Sequence, residues 1–271
     1  MQTKECVNYI INWLLNYSKK SKTRGFVVGV SGGIDSAVTS TLAAKTGLEV
    51  LCLEMPIHQE IYQVNRANEH INWLKENFNK VSSLRIDLGE TYDCFKQTVG
   101  KDNQRDSHQM ALVNSRARLR MTTLYYHAQL NNYLVAGTGN KVEDFGIGFY
   151  TKYGDGGVDL SPIADLLKSE VFEIGKELGV RNSMLTAAPT DGLWSDNRTD
   201  EDQIGATYPE LEWAMGFEGN TDALNERQQE VLDIYNRLNK ANKHKMTPIP
   251  ICEIPNHLKW WNRLPQNPVM R

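Results

Sequence analysis

The chain lacks the features that would tie it to an oxidising compartment, a membrane or a nucleic-acid backbone. Its four cysteines (Cys6, Cys52, Cys94 and Cys252) are widely spaced, and no CxxC pair occurs in the 271 residues. That argues against a zinc ribbon or a dithiol redox centre and fits a reduced, cytoplasmic setting. The amino end, Met-Gln-Thr-Lys-Glu-Cys, has no apolar run behind a basic start, so no secretion signal is read there. No stretch of membrane-spanning length is free of charge. With 30 basic and 33 acidic side chains the formal charge is −3, which speaks against an extended basic footprint for nucleic acid. Internal repeats and low-complexity blocks are missing too. What remains is an ordinary globular composition without a convincing boundary, so a single domain over residues 1–271 is expected.

One stretch organises the rest. Phe26 to Val30 is apolar and mostly β-branched and reads as a buried strand. SGGIDS follows, from Ser31 to Ser36, with Gly32 and Gly33 free to turn sharply and Ser36 expected to cap a helix carrying Ala37, Val38, Leu42 and Ala43. A strand, a glycine turn and a helix start aim backbone N–H groups and the positive end of a helix dipole at one spot, which favours phosphate. The common phosphate loop ends in Gly-Lys-Ser/Thr, but no lysine sits in this one. It carries an acid instead, Asp35. An acid beside a phosphate cradle repels the ligand unless a cation lies between, so Asp35 implies Mg²⁺. The stretch resembles the signature loop of the ATP pyrophosphatases, which split ATP into AMP and pyrophosphate.

Strands alternate with helices along the chain. A helix is expected from Lys4 to Lys20, and strands at Glu49 to Met55, Val81 to Leu88 and Tyr133 to Gly137. Helices are expected at Gln59 to Phe78, Thr91 to Val99 and, after a polar loop, Ser107 to Leu130. This alternation predicts an α/β fold with a doubly wound parallel sheet of about five strands. Ligands bind such sheets at the carboxyl ends of the strands, which brings Thr138 to the same rim as the first loop. In the long helix, Met110, Val113, Ala117, Met121, Leu124 and Ala128 form an apolar stripe, a candidate either for core or for a dimer surface. Of Arg116, Arg118 and Arg120, two are expected on a solvated face. Gly146 to Gly157 is too irregular for a helix or a strand. Lys168 to Leu178 is a helix stopped by Gly179. Pro189 to Gly205 is a long acidic loop of the kind that serves function, and helices are expected near Glu210 to Met215 and Asp222 to Asn242. The tail holds five prolines from Pro248 onward, and its Trp260 and Trp261 receive no assignment.

GTGNKVEDFGIGFYTKYGDGGVDLSP (Gly137 to Pro162) joins SGGIDS, NSRARLRM (Asn114 to Met121), PTDGLW (Pro189 to Trp194) and His244-Lys245. Together they resemble the ammonia-dependent NAD synthetases, a Rossmann-like branch of the adenine nucleotide alpha-hydrolase-like fold. The resemblance runs from the first helix to about Lys245. It implies amidation of deamido-NAD to NAD in two steps, with ATP, Mg²⁺ and ammonia. The carboxylate first attacks the α-phosphorus and expels pyrophosphate; ammonia then attacks the acyl-adenylate and AMP leaves.

The resemblance also implies roles. Gly29, Val30, Ser31, Gly32, Gly33, Ile34, Asp35 and Ser36 would hold ATP, with Thr138, Lys168 and Thr190. Asp35 and Glu143 would share Mg²⁺. Arg118, Lys152, Asp159, His244 and Lys245 would meet deamido-NAD. Lys168 would act on the leaving group and Asp155 would orient the incoming nitrogen. Family members are homodimers, and glutamine-dependent relatives carry an added glutaminase domain, which is not expected here because only one helix precedes the first strand and a short proline-rich tail follows. Two rivals share the loop. A tRNA-modifying ATP pyrophosphatase would need an RNA surface and often a thiol, and a nucleotide sensor would not need Asp35, Glu143 and Lys168 together.

Overall fold

The structure, a computed structural model, describes residues 1–59, 61–100, 106–190 and 199–259. Trp194, Trp260 and Trp261 lie outside them. The apolar stretch after residue 24 forms β1 (Gly25–Gly29), with Phe26, Val27 and Val28 wholly buried. It pairs in parallel with β2 (Glu49–Glu54) on one side and β4 (Tyr133–Val135) on the other, and β2 pairs with β3 (Val81–Arg85). The order is β3-β2-β1-β4. Two consecutive crossovers leading away from β1 and a return to its far side make the sheet doubly wound.

Both faces are covered, which is why these strands read as near-continuous apolar runs. One face meets α1 (Thr3–Ser21), α2 (Ile34–Lys45), α3 (Ile61–Asn77) and α6 (Lys168–Glu177). Val7, Ile10 and Leu14 put one stripe of α1 into that core. Leu14 is fully buried there, and a buried leucine of this kind contributes about 2–5 kcal/mol against alanine. The other face meets α4 (Gly89–Val99) and α5 (Asp106–Asn131). Beyond α6 the chain continues through the short α7 (Asn182–Leu185) and α8 (Asp200–Ile204) to α9 (Tyr208–Met215) and α10 (Glu226–Met246). A satellite core joins α8, α9 and α10 to a π-helical turn, Val142–Ile147. No helix among the described residues is long and apolar enough to cross a membrane.

The sheet has four strands among the described residues, not about five. A fifth is reduced to a single parallel bridge between Ala136 and Leu160. The reason is local. Asp159 uses its side-chain Oδ2, 2.8 Å from the Val135 N–H, where a strand would present a backbone carbonyl. Gly156 and Gly157 precede it and Pro162 follows, so the ladder cannot lengthen in either direction. The α5 stripe packs inward: Val113, Ala117 and Ala128 are buried, Met121 and Leu124 face a cavity, and Met110 alone of the six is exposed. It is core and cavity wall, not a free dimer surface. The loop expected over Pro189 to Gly205 gives way to α8 at its carboxyl end.

Candidate active site

One cavity opens at the carboxyl rim of β1, β2 and β4, bounded by the Ser31–Ser36 turn, α5, the Gly137–Asp144 segment and α6. The turn is built by sequence. Gly32 has φ +86°, and a Cβ there would stand 2.7 Å from the Gln63 carbonyl, so only glycine lets α3 approach. Gly33, not Ser36, is the helix cap. Ser36 lies one turn further in, where its Oγ accepts the Ser31 N–H at 3.2 Å and donates to the Gly33 carbonyl at 3.0 Å. The hydroxyl braces the turn from behind and leaves the helix start facing the cavity.

Three charged side chains from distant parts of the chain meet there. Lys168, the first residue of α6, lies 2.6 Å from Asp35 Oδ2 and 3.1 Å from Glu143 Oε1 through its Nζ. The lysine side chain is 4% exposed, the carboxylates 18% and 17%. Burial alone would lower the lysine, but Asp35 and Glu143 outweigh it and hold the ammonium above the ordinary lysine range. Burial pushes the Asp35 carboxyl upward while Lys168 pulls against it. The 2.6 Å contact makes the pair an ion pair. Asn140, fully buried, donates to Asp35 Oδ1 at 3.2 Å and accepts the N–H groups of Val142 and Glu143 through its Oδ1. It ties the two carboxylates to one turn.

Further acids line the cavity. Burial, then Glu143, Asp155 and Asp35, push Asp144 up to about 8. Burial pushes Asp155 up to about 6, with the Thr151 N–H, 3.0 Å from its Oδ1, pulling the other way. Gly139 is needed because a Cβ there would lie 2.2 Å from the Asp144 carboxylate. Thr138 and Thr190 also line the cavity.

None of the five residues expected at the dinucleotide lines this cavity, though Lys245 borders it through the carbonyl of Tyr150. Four gather: Arg118 donates to the Lys152 carbonyl at 3.3 Å, Lys152 Nζ to the His244 carbonyl at 2.9 Å, and Lys245 Nζ to the carbonyls of Gly148 and Tyr150 at 2.8 Å each. Asp159 is separate, its Oδ1 accepting the Tyr125 hydroxyl at 3.1 Å while Oδ2 serves β4. The expectation for the three arginines is corrected. Arg118 is the exposed one. Arg116 packs 4.8 Å over the Tyr92 ring, and Arg120 donates to the Met55 carbonyl at 3.0 Å on the cavity wall.

Sequence reasoning missed Asn140, Asp144, Asp200 and Tyr208. The Tyr208 hydroxyl donates to Glu143 Oε1 and lies 3.4 Å from Asp200 Oδ2. Asn140 and Asp144 were within reach, being part of the quoted Gly137 to Pro162 segment.

Comparison with known proteins identifies the family. The family described as NAD synthase matches residues 6–249. The chain belongs to the NAD synthase family. An NH(3)-dependent NAD(+) synthetase of Mesoplasma florum is 38% identical over 246 residues, 90% of this chain and 95% of that one. Among solved structures, an NMN synthetase from Francisella tularensis has a TM-score of 0.82 at 34% identity, covering 94% of this chain and 99% of the other. An NH3-dependent NAD synthetase from Campylobacter jejuni has a TM-score of 0.74 at 24% identity, covering 93% and 100%, and bears on the fold alone. Membership of the NAD synthase family sets aside the tRNA-modifying reading.

Proposed function

We propose that the chain amidates deamido-NAD to NAD with ammonia and ATP, releasing AMP and pyrophosphate. The observation that carries this is the convergence of Asp35, Glu143 and Lys168 at the mouth of the SGGIDS turn, in a chain of this family. The turn from Gly29 to Ser36 and the start of α2 cradle the pyrophosphate end of ATP. Lys168 leaves the carboxylates for the phosphates and meets the charge that builds on the departing pyrophosphate. Thr138 and Thr190 contact ATP from the rim.

The donor set fits Mg²⁺. Two carboxylates already converge on a cation, the lysine ammonium, and phosphate oxygens and water would complete the hard oxygen shell. Among the described residues no group of three or more His, Cys, Asp or Glu could hold a metal ion by itself, so the reading needs nucleotide oxygens to complete the site. Bound by Asp35 and Glu143, it would supply charge neutralisation at the leaving group.

In the first step the nicotinate carboxylate oxygen bonds to the α-phosphorus as the bond to pyrophosphate breaks. In the second the ammonia nitrogen bonds to the acyl carbon, AMP leaves with the bonding pair, and one proton is released. Asp155 faces the cavity and is suited to orient the nitrogen and receive that proton. Arg118, Lys152, Asp159, His244 and Lys245 take the dinucleotide side. The chain acts as one synthetase domain that takes free ammonia, as a cytoplasmic homodimer.

A second reading is a mononucleotide substrate, with NMN as product. Lys245 and Asp159 are engaged within the chain itself. A mononucleotide would ask less of them, and a solved relative is named an NMN synthetase. One assay tests both. Purified chain with ATP, Mg²⁺ and ammonium is given deamido-NAD or nicotinate mononucleotide, and NAD, NMN and AMP are followed. Faster NAD formation supports the first reading, faster NMN formation the second; AMP with neither product overturns both. Glutamine labelled at its amide nitrogen, supplied without ammonium, should leave no label in the carboxamide. Label there would overturn the free-ammonia reading.

A further inference from the structure

Tyr208 touches two of the three charged side chains of the leaving-group site, Glu143 and Lys168. It is the first residue of α9 and is 4% exposed. Its backbone is pinned by the Thr207–Glu210 capping box and by its own N–H, 2.9 Å from Glu201 Oε1. The phenol donates to Glu143 Oε1, the same oxygen that receives Lys168 Nζ at 3.1 Å. The ring centroid lies 4.6 Å from Lys168 Nζ. Burial first, then Glu143, Asp200 and Asp35, push the phenol upward, so it stays protonated and can only donate to a carboxylate.

We propose that Tyr208 is a positioning residue of the metal and leaving-group site, fixing Glu143 through its hydroxyl and supporting Lys168 with its ring. Glu143 leaves a π-helical turn on a flexible stem and is partly exposed, so its rotamer needs fixing if it is to converge with Asp35 on one cation. Tyr208 supplies that constraint from an element 65 residues away. The ring gives Lys168 a face to rest on when its ammonium leaves the carboxylates for phosphate. Packing alone would explain the ring, which belongs to the satellite core, but would leave the hydroxyl without consequence for metal binding.

The proposal rests on the ATP and metal part of the function above and not on which pyridine acid is amidated. The test uses the full chain and Tyr208→Phe, which keeps the ring and removes the hydroxyl. Mn²⁺ is titrated by electron paramagnetic resonance in the presence of α,β-methylene ATP, and melting temperature is measured alongside. A hydrogen bond to a charged group whose partner keeps another donor corresponds to about a tenfold change. Tyr208→Phe should therefore weaken Mn²⁺ about tenfold with the melting temperature little changed. In a Glu143→Gln background the same substitution should have no further effect on Mn²⁺. Mn²⁺ affinity within twofold of the parent, or an undiminished effect in the Glu143→Gln background, would overturn the proposal. A parent chain that takes up no Mn²⁺ with the nucleotide would instead remove the metal reading, and the proposal with it.

Discussion

Lys168→Met isolates the electrostatic balance of the site. The lysine is 3% exposed, and methionine keeps most of its stem while removing the charge. Asp35 and Glu143 then face each other without a cation, across no more than about 6 Å as bounded by their two contacts to Nζ. At an effective dielectric constant of about 20, two like charges at that distance repel by about 3 kcal/mol. Breaking a buried ion pair costs about 3–5 kcal/mol in comparable cases. For a chain of 271 residues, with an unfolding entropy of about 2.1 cal/mol/K per residue, that lowers the melting temperature by about 5–9 °C. The loss should depend on pH. Burial already pushes the Asp35 carboxyl upward with Lys168 pulling against it, so without the ammonium it rises further; the penalty is fully present above the variant's raised value and fades as pH falls through it. Urea denaturation followed by tryptophan fluorescence at pH 8 and pH 5 measures both. A loss below about 1 kcal/mol at pH 8, or one equal at the two pH values, would refute the reasoning.

Two further outcomes follow from the same geometry. Asp35→Asn and Glu143→Gln should each lower turnover about 100-fold or more with the fold retained, since each removes a charge that faces the leaving group and not a packing contact; near-parental turnover with unchanged Mg²⁺ dependence, measured by AMP release, would remove that residue from the site. Asp155 is raised to about 6 and is charged above that value, so turnover at saturating ATP should fall as pH drops through about 6, and Asp155→Asn should lose that limb; the same acid limb in the variant would assign it to another group.

The fold was legible wherever burial dictates composition. β1, β2 and β4 lie between two layers of helices, so their residues are apolar on both faces and announce themselves as runs. α5 was legible from its stripe because that stripe is core. The missing fifth strand was not. Val158 to Ser161 has the length and apolar content of an edge strand, yet a side-chain carboxylate, Asp159, takes over one ladder position, and no periodicity reports which donor a carboxylate will meet. The arginines fail for a related reason. Arg116 and Arg120 lie off the α5 stripe, but long side chains reach around a helix, one to the Tyr92 ring and one to the Met55 carbonyl, and charge patterning does not see that reach.

The site itself was half legible, and the missing half had a signal of a different kind. Asp35 and Glu143 sit in motifs dense in glycine and acid, which draw attention, while Lys168 lies outside them and came only with the family resemblance. Asp200 sits in the acidic stretch read as loop, and Tyr208 lies just beyond it, before the helix expected near Glu210. Yet both follow a helix-start pattern: Thr199-Asp200-Glu201-Asp202 and Thr207-Tyr208-Pro209-Glu210 each place a threonine three residues before an acid. In the structure both are closed capping boxes, with Thr199 bound to Asp202 and Thr207 to Glu210. A capping box fixes where a helix begins, and side chains in a helix lean towards its amino end. The first residue after each cap is therefore aimed back at whatever lies before the helix. Here Asp200 and Tyr208 come within 3.4 Å of each other, and the Tyr208 hydroxyl reaches Glu143. Two short helices of modest core content thus serve to aim two polar side chains. In a chain of this class, paired capping boxes after the last sheet strand point to such side chains more directly than apolar periodicity does.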